Sequence, residues 1–196
     1  MTTGISTGGG ALALKRSHDE ADAARLEHEA AVLRMARHPG VVELVACERD
    51  ESGAVTLATE FVGLHSLDTV SAMTVERAAA IVAAVASTLA DLHEAGIVHG
   101  RVERSHILIG ACGRPKLCGL GASVIDGSLP PSVDVAGAGA VLRDLLAHAR
   151  DETWFRYRRR ALMTLARQAT DPEPGRRPPA RRFAASIRDV VPEVRD

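Results

Sequence analysis

Apolar residues recur at helical spacing in the middle of the chain, between Val75 and Glu94. The apolar positions that share one helix face are Ala78, Ile81, Val82, Val85, Leu89 and Leu92. Thr74 has a side chain suited to a helix N-cap, and Gly96 is a residue type that commonly follows a helix C-terminus. The pattern predicts a long helix that packs one face into a core.

A second helical pattern begins after Ser17 or Asp19, either of which can cap it, and runs to about Arg37. Its inward face carries Leu26, Glu29, Ala30 and Leu33. A carboxylate among apolar residues needs a partner, and Lys15 is the natural candidate for Glu29. The alternative is that Glu29 lies at the rim of the core and pairs with water.

Shorter apolar stretches between turn-forming residues predict strands. The predicted strands are Ala11 to Lys15, Val41 to Cys47, Thr56 to Val62, Ile107 to Ile109, and Pro115 to Cys118. Further helices are predicted to begin at Leu67 and Asp134 and to span Glu152 to Ala169 and Ala180 to Val190. Asp50 to Gly53 has the composition of a hairpin turn. Residues 1–10 are rich in Gly, Ser and Thr and are predicted to be flexible.

Composition narrows the classes of protein that fit. Of the 196 residues, 46% are hydrophobic, as in a globular protein with a sizeable core. A net charge of −1 and 3% aromatic residues argue against a nucleic-acid partner. Cys47, Cys112 and Cys118 lack C-x-x-C spacing, so no metal site is predicted. The odd cysteine count, without a signal peptide or a membrane-spanning stretch, predicts a cytoplasmic protein.

Several short motifs follow one another in a distinctive order. The strand ending at Lys15 reads ALALK, Glu29 follows on a helix, and His38 opens the sequence HPGVVEL. Later come HGRVERSH from His99, GLG at residues 119–121, DVAGAGAVL from Asp134, and DPEPGRRP from Asp171. In this order they resemble protein kinases, in particular bacterial Ser/Thr kinases. The H-G pair also resembles small-molecule phosphotransferases, but HPGVV and the C-terminal pattern favour the protein-kinase branch.

The resemblance covers nearly all of residues 11–190 and implies an α+β fold with two lobes. The N-lobe, residues 11–62, would hold a small antiparallel sheet and one helix. The C-lobe, residues 63–196, would be mainly helical, and residues 1–10 would precede both as a flexible N-terminus. An apolar column would join the lobes through Leu44, Leu33, Leu120 and His99.

The resemblance also assigns expected roles around a nucleotide cleft. It implies an ion pair between Lys15 and Glu29, which orients phosphates in active kinases. Glu60 and Val62 would lie at the hinge, where adenine bonds the backbone, and Leu108 would line the same cleft. Asp134 would anchor the backbone of the catalytic loop; an N-cap role for this residue is also predicted, and the two roles are compatible.

The positions that carry chemistry in active kinases hold other residues here. The family pattern is H-R-D-L-x-x-x-N and then D-F-G, in which the first Asp is the catalytic base and the Asn and second Asp hold magnesium. The replacements are Arg101 for the base, Glu103 for the Lys two residues later, His106 for the Asn and Gly119 for the metal-binding Asp. Arg stays protonated, and magnesium prefers oxygen ligands. The resemblance therefore implies a degenerate kinase, a pseudokinase.

Two other family segments are reduced. Gly8 to Gly10 resembles the remnant of a phosphate-binding loop, but too few residues precede Lys15 to supply two strands around it, and a flexible start is favoured. The segment Val124 to Val133 is too short to form a platform for a protein substrate. Ser132 stands where an A-P-E Glu would lie, so Arg177, its usual partner, is predicted to be available to another group.

Three functions fit this pattern. The favoured one is a non-catalytic regulatory or scaffolding module in signalling that binds a protein partner, such as an active kinase or its substrate. The second is a sensor that binds ATP without magnesium, through Lys15 and the hinge. The third is a divergent Ser/Thr kinase with weak phosphotransfer activity.

Overall fold

The computed structural model describes residues 2–5, 11–63, 65–70, 73–149 and 156–192. Its four-stranded antiparallel sheet has the order β1-β2-β4-β3 and consists of β1 (Thr2–Ile5), β2 (Ala11–Arg16), β3 (Leu44–Arg49) and β4 (Val55–Glu60). A second sheet pairs β5 (Ile107–Ile109) with β6 (Pro115–Leu117). The helices are α1 (Glu20–Met35), α2 (Val75–Glu94), α3 (Ser132–Ala147), α4 (Arg156–Ala169) and α5 (Ala180–Val190).

Helix α1 packs against the four-stranded sheet because its apolar residues share one face. The buried cluster between them contains Ala23, Leu26, Ala30, Val55 and Leu57. Asp19 begins the helix, since its carboxylate accepts a hydrogen bond from the amide of Asp22 at 2.8 Å. The sheet and its helix thus have a small core of their own.

The larger core lies among the four remaining helices and the two-stranded sheet. Its most buried large side chains include Leu89, Leu142, Leu162, Phe183 and Ile187. Helix α3 approaches α4 closely at Gly139, where an added Cβ would lie 2.6 Å from the Cβ of Ala169. The small residues of α3 therefore permit close packing. Within the described residues, no helix is long and apolar enough to span a membrane.

The predicted α+β fold, with small antiparallel sheets and a helical part, is confirmed. Helices α2 and α5 have the predicted bounds, and the other described elements begin or end within a few residues of theirs. The predicted start of α4 at Glu152 lies outside the described residues.

Two local predictions are wrong. Residues 67–69 form a turn rather than a helix, because the amide of Thr69 bonds the carbonyl of Ser66 and the amide of Leu67 bonds Ile107 of β5 at 2.8 Å. Thr2–Ile5 is not a flexible start, because it pairs with β2 over four residues. Residues 6–10, and with them the glycines at 8–10, lie outside the described residues.

Candidate functional site

An ion pair joins the sheet to helix α1. The Nζ atom of Lys15 on β2 lies 2.7 Å from Oε1 and 3.0 Å from Oε2 of Glu29. The Glu29 side chain is only 5% exposed, whereas that of Lys15 is 33% exposed. The predicted pair is confirmed and the rim alternative is wrong, because this carboxylate is buried and bound by the ammonium. The pair fixes the position of α1 relative to β2.

We expect Lys15→Met to lower the free energy of unfolding by about 2 kcal/mol, because it leaves a buried carboxylate without its cation. The partial exposure of Lys15 keeps the loss below that of a fully buried pair. Chemical denaturation measures the effect, with Arg16→Met as the matched control, since Arg16 is the next residue and pairs with Asp50 in solvent. The double variant Lys15→Met/Glu29→Gln should be more stable than Lys15→Met alone, and the opposite order would contradict this interpretation.

Asp134 of α3 holds the backbone at residues 99 and 100. Its carboxylate is fully buried and accepts hydrogen bonds from the amides of His99 and Gly100, both at 2.8 Å. The Nε2 atom of His93 lies 2.9 Å from the same carboxylate. The anchoring role predicted for Asp134 is confirmed. The additional N-cap role is wrong, because α3 begins at Ser132 and has no side-chain cap.

His99 is buried in its neutral form. Its Nε2 atom lies 3.1 Å from the carbonyl oxygen of Cys118, and its Nδ1 accepts a hydrogen bond from the amide of Arg101 at 3.3 Å. The neutral tautomer with hydrogen on Nε2 satisfies both contacts, whereas a second proton on Nδ1 would face an N–H group. Burial lowers the pKa of His99 below its ordinary value of 6.5, although nearby Asp134 opposes the shift.

This burial predicts a loss of stability in mild acid. Because the folded-state pKa of His99 is lowered, its contribution is fully present above about pH 6.5 and is lost as pH falls toward the folded-state pKa. The expected loss is up to about 1.4 kcal/mol for each pH unit in that window. Denaturation curves between about pH 7.5 and pH 5.5 measure it. His99→Leu should flatten the slope, and the exposed-residue control His148→Leu should leave it unchanged; equal slopes in wild type and His99→Leu would contradict the assignment.

His106 occupies the space beside Gly119. The backbone of Gly119 has a φ of +77°, and a Cβ added there would lie 2.6 Å from Cδ2 and 2.8 Å from Nε2 of the His106 ring. The other ring nitrogen, Nδ1, lies 2.9 Å from the carbonyl oxygen of Arg101. The structure thus brings together two positions that the sequence places thirteen residues apart, and the imidazole fills the room that a side chain at residue 119 would need.

Arg101 and Glu103 lie next to this ring at the surface. The Nη2 atom of Arg101 lies 3.4 Å from Oε1 of Glu103, and the same oxygen lies 3.6 Å from Nδ1 of His106. The hydroxyl of Ser105 and the neighbouring cations lower the pKa of Glu103. Within the described residues, no group of three or more His, Cys, Asp or Glu side chains is arranged to hold a metal ion.

The family sequence model of the protein kinase domain matches residues 8–135, which are more than half of the chain. This chain belongs to the protein kinase family. Comparison with curated individual proteins gives no match.

Within the kinase frame, the residues predicted for the nucleotide cleft lie as follows. Glu60 ends β4, Val62 follows two residues later, and Leu108 is the middle residue of β5. Val62 and Leu108 both pack against the larger core. The carboxylate of Glu60 forms an ion pair with Lys116 of β6. It also accepts a hydrogen bond from the amide of Glu43 at 2.8 Å. Their part in binding a nucleotide stays a prediction.

Cys118 immediately precedes the three residues in the D-F-G position. Burial raises the pKa of its thiol to about 11, against the opposing effect of the nearby Lys15 ammonium. The thiol is therefore protonated at neutral pH and is a poor nucleophile.

Arg177, predicted to be available to another group in place of the family Glu, binds backbone carbonyl oxygens. Its Nε donates to the carbonyl oxygen of Asp171 at 2.8 Å, and its Nη1 donates to that of Ser132 at 3.1 Å. The backbone carbonyl of Ser132 thus accepts a hydrogen bond from the guanidinium, at the position where the kinase family has a glutamate side chain. The shortened segment before α3 is thereby tied to residues near α5.

Sequence reasoning missed three residues that hold the site together. His28 of α1 lies with Nε2 2.8 Å from the carbonyl oxygen of Ser123. Arg104 donates to the carbonyl of Leu67 at 2.8 Å and lies 2.5 Å from Asp144, and Lys116 pairs with Glu60. These residues bind backbone carbonyls or side chains far away in sequence, so local patterns carry little signal for them.

Proposed function

We propose that this kinase-family protein is a non-catalytic pseudokinase that serves as a regulatory or scaffolding module in signalling and binds a protein partner. The observation that carries the proposal is the packing of His106 over Gly119, at the two positions where active kinases hold magnesium. Phosphoryl transfer relies on metal ions to neutralise developing charge. An imidazole in this space supplies neither of the usual oxygen ligands.

The catalytic base is missing as well. Arg101 stands at the position of the family Asp, and a guanidinium donates hydrogen bonds but offers no acceptor for the proton of a substrate hydroxyl. Enzymes must lower a reaction barrier by roughly 8–23 kcal/mol, and a site without base and metal ligands has few means of doing so. The parts that keep the shape of the domain, Lys15–Glu29 and the Asp134 anchor, are intact. A fixed shape without chemistry suits a binding module.

Crosslinking and affinity capture with purified protein test the partner-binding role. The wild type should capture the same partners with and without added ATP and magnesium. If no partner is recovered reproducibly, or if recovery requires hydrolysable ATP, the proposal is wrong.

A second candidate is a sensor that binds ATP without magnesium. One observation favours it: Lys15 is held by Glu29 yet keeps a third of its side chain exposed, so a cation remains available to phosphate. Thermal unfolding with ATP, with magnesium and with chelator, tests this role. Stabilisation in chelator that disappears in Lys15→Met supports a sensor, whereas no shift in either condition rejects it.

A further inference from the structure

A groove of about 510 Å³ lies along α2. Its other walls are residues 38–40, the turn between β5 and β6, and Arg188 on α5. This volume lies within the range of sites that bind ligands of several residues or of drug size. None of the residues discussed above as catalytic or nucleotide-binding positions lines it.

The groove carries a local excess of positive charge. Arg77, Arg114 and Arg188 line it, and its fourteen lining residues, all of them described, include no Asp or Glu. The chain as a whole has 24 basic and 25 acidic residues, so the excess is not a property of the composition. His38 also lines the groove, but Asp91 lies 3.1 Å from its Nε2 and occupies that nitrogen.

Two of the three guanidinium groups are held in place by the protein. Nη2 of Arg77 donates to the carbonyl oxygen of Gly113 at 2.5 Å, and Nη2 of Arg188 donates to the hydroxyl of Ser87 at 2.9 Å. Arg114 is exposed, and none of the described residues accepts a hydrogen bond from its side chain. A guanidinium has five N–H donors, so Arg77 and Arg114 retain donors for a ligand.

The cations lie at two ends of an apolar floor. Arg77 and Arg114 mark one end, and Arg188 marks the other at Ser87, ten residues along α2 from Arg77, which corresponds to about 15 Å. The floor between them is formed by Ala80, Ile81 and Ala84. An extended peptide covers about 15 Å with four or five residues.

We propose that this groove binds an extended acidic segment of the protein partner, an inference that rests on the proposed function. Two carboxylates of the segment, four or five residues apart, pair with Arg77 and Arg114 at one end and with Arg188 at the other. An apolar side chain between them lies on the Ala80–Ala84 floor. Arg pairs readily with carboxylates in two-point geometry. None of the residues that line the groove is Phe, Tyr or Trp, and the imidazole of His38 is bound to Asp91, which favours a peptide over a nucleic-acid strand.

A library of random peptides displayed on phage tests this assignment. The library is first depleted on Arg77→Glu/Arg114→Glu and then selected on the wild type. We expect the recovered peptides to share two acidic residues, four or five positions apart, around an apolar residue. A synthetic peptide of this type should bind Arg114→Glu about tenfold more weakly or worse than wild type. Ala84→Trp, which fills the floor without a charge change, should weaken binding as well.

The matched control is Arg182→Glu, an exposed residue of α5 outside the groove, which should keep the wild-type affinity. Thermal unfolding of each variant shows that it is folded. The proposal is overturned if the recovered peptides are not acidic, if the control Arg182→Glu weakens binding as much as Arg114→Glu does, or if poly-uridine displaces the peptide better than unlabelled peptide does. Each of these results leaves the non-catalytic assignment standing, because phosphotransfer assays test that assignment separately.

Discussion

Replacing Asp134 by Ala is expected to lower the free energy of unfolding by about 3–5 kcal/mol, because the buried amide of His99 and the partly buried amide of Gly100 both lose the carboxylate that accepts their hydrogen bonds. The His93 imidazole loses its carboxylate partner in the same step. For a protein of this size the loss corresponds to a fall in Tm on the order of 10 °C. Differential scanning calorimetry and denaturant titration measure it.

Asp189→Ala provides the control for this prediction, because Asp189 is an exposed aspartate on α5. Its substitution should change stability by less than about 0.5 kcal/mol. Asp134→Asn should lie between the two, since the amide retains one oxygen acceptor but cannot accept both backbone N–H groups. If Asp134→Ala were as stable as the control, the amides of His99 and Gly100 would not depend on this carboxylate.

Gly119→Asp restores the family residue and is expected to destabilise the fold by about 2–4 kcal/mol. Part of the loss is backbone strain at a φ of +77°, and part is overlap of the new Cβ with the His106 ring. His106→Asn removes the ring, so the double variant should recover about 1–2 kcal/mol relative to the sum of the single changes. A double-mutant cycle by chemical denaturation measures this coupling.

Gly127→Asp separates the two causes. Gly127 has a φ of +76° and no atom within 4 Å of an added Cβ, so only the strain applies there. Its substitution should cost about 1 kcal/mol, and His106→Asn should not rescue it. Zero coupling between residues 106 and 119 would mean that the imidazole does not fill the space of the missing side chain.

Most of the fold could be predicted from sequence because its elements follow local rules. The apolar face of α2, its Thr74 cap and the stop at Gly96 are all local signals, and the structure confirms them. The turn at residues 67–69 could not be predicted in this way. Leu67 is held there by the backbone of β5, forty residues later, and nothing in the local pattern reports that contact.

The candidate site likewise has contacts that could be predicted from sequence and contacts that could not. The Lys15–Glu29 pair was predictable because a carboxylate on an apolar helix face requires a cation, and the Asp134 anchor followed from the family pattern. The new partner of Arg177 could not be predicted, because it is the backbone carbonyl of Ser132 and every residue type supplies such a group. The insertion of the His106 ring over Gly119 also needed coordinates, since the family pattern places both residues near one metal site but does not show that the imidazole fills the space beside the glycine.

Transfer of the labelled γ-phosphate of ATP tests the central claim most directly. Purified protein is incubated with labelled ATP and magnesium or manganese, alone and with general protein substrates, beside the variant Lys15→Met. The account predicts that the wild type incorporates no more label into itself or any substrate than Lys15→Met does. Incorporation by the wild type that Lys15→Met abolishes would show a working kinase and contradict the account.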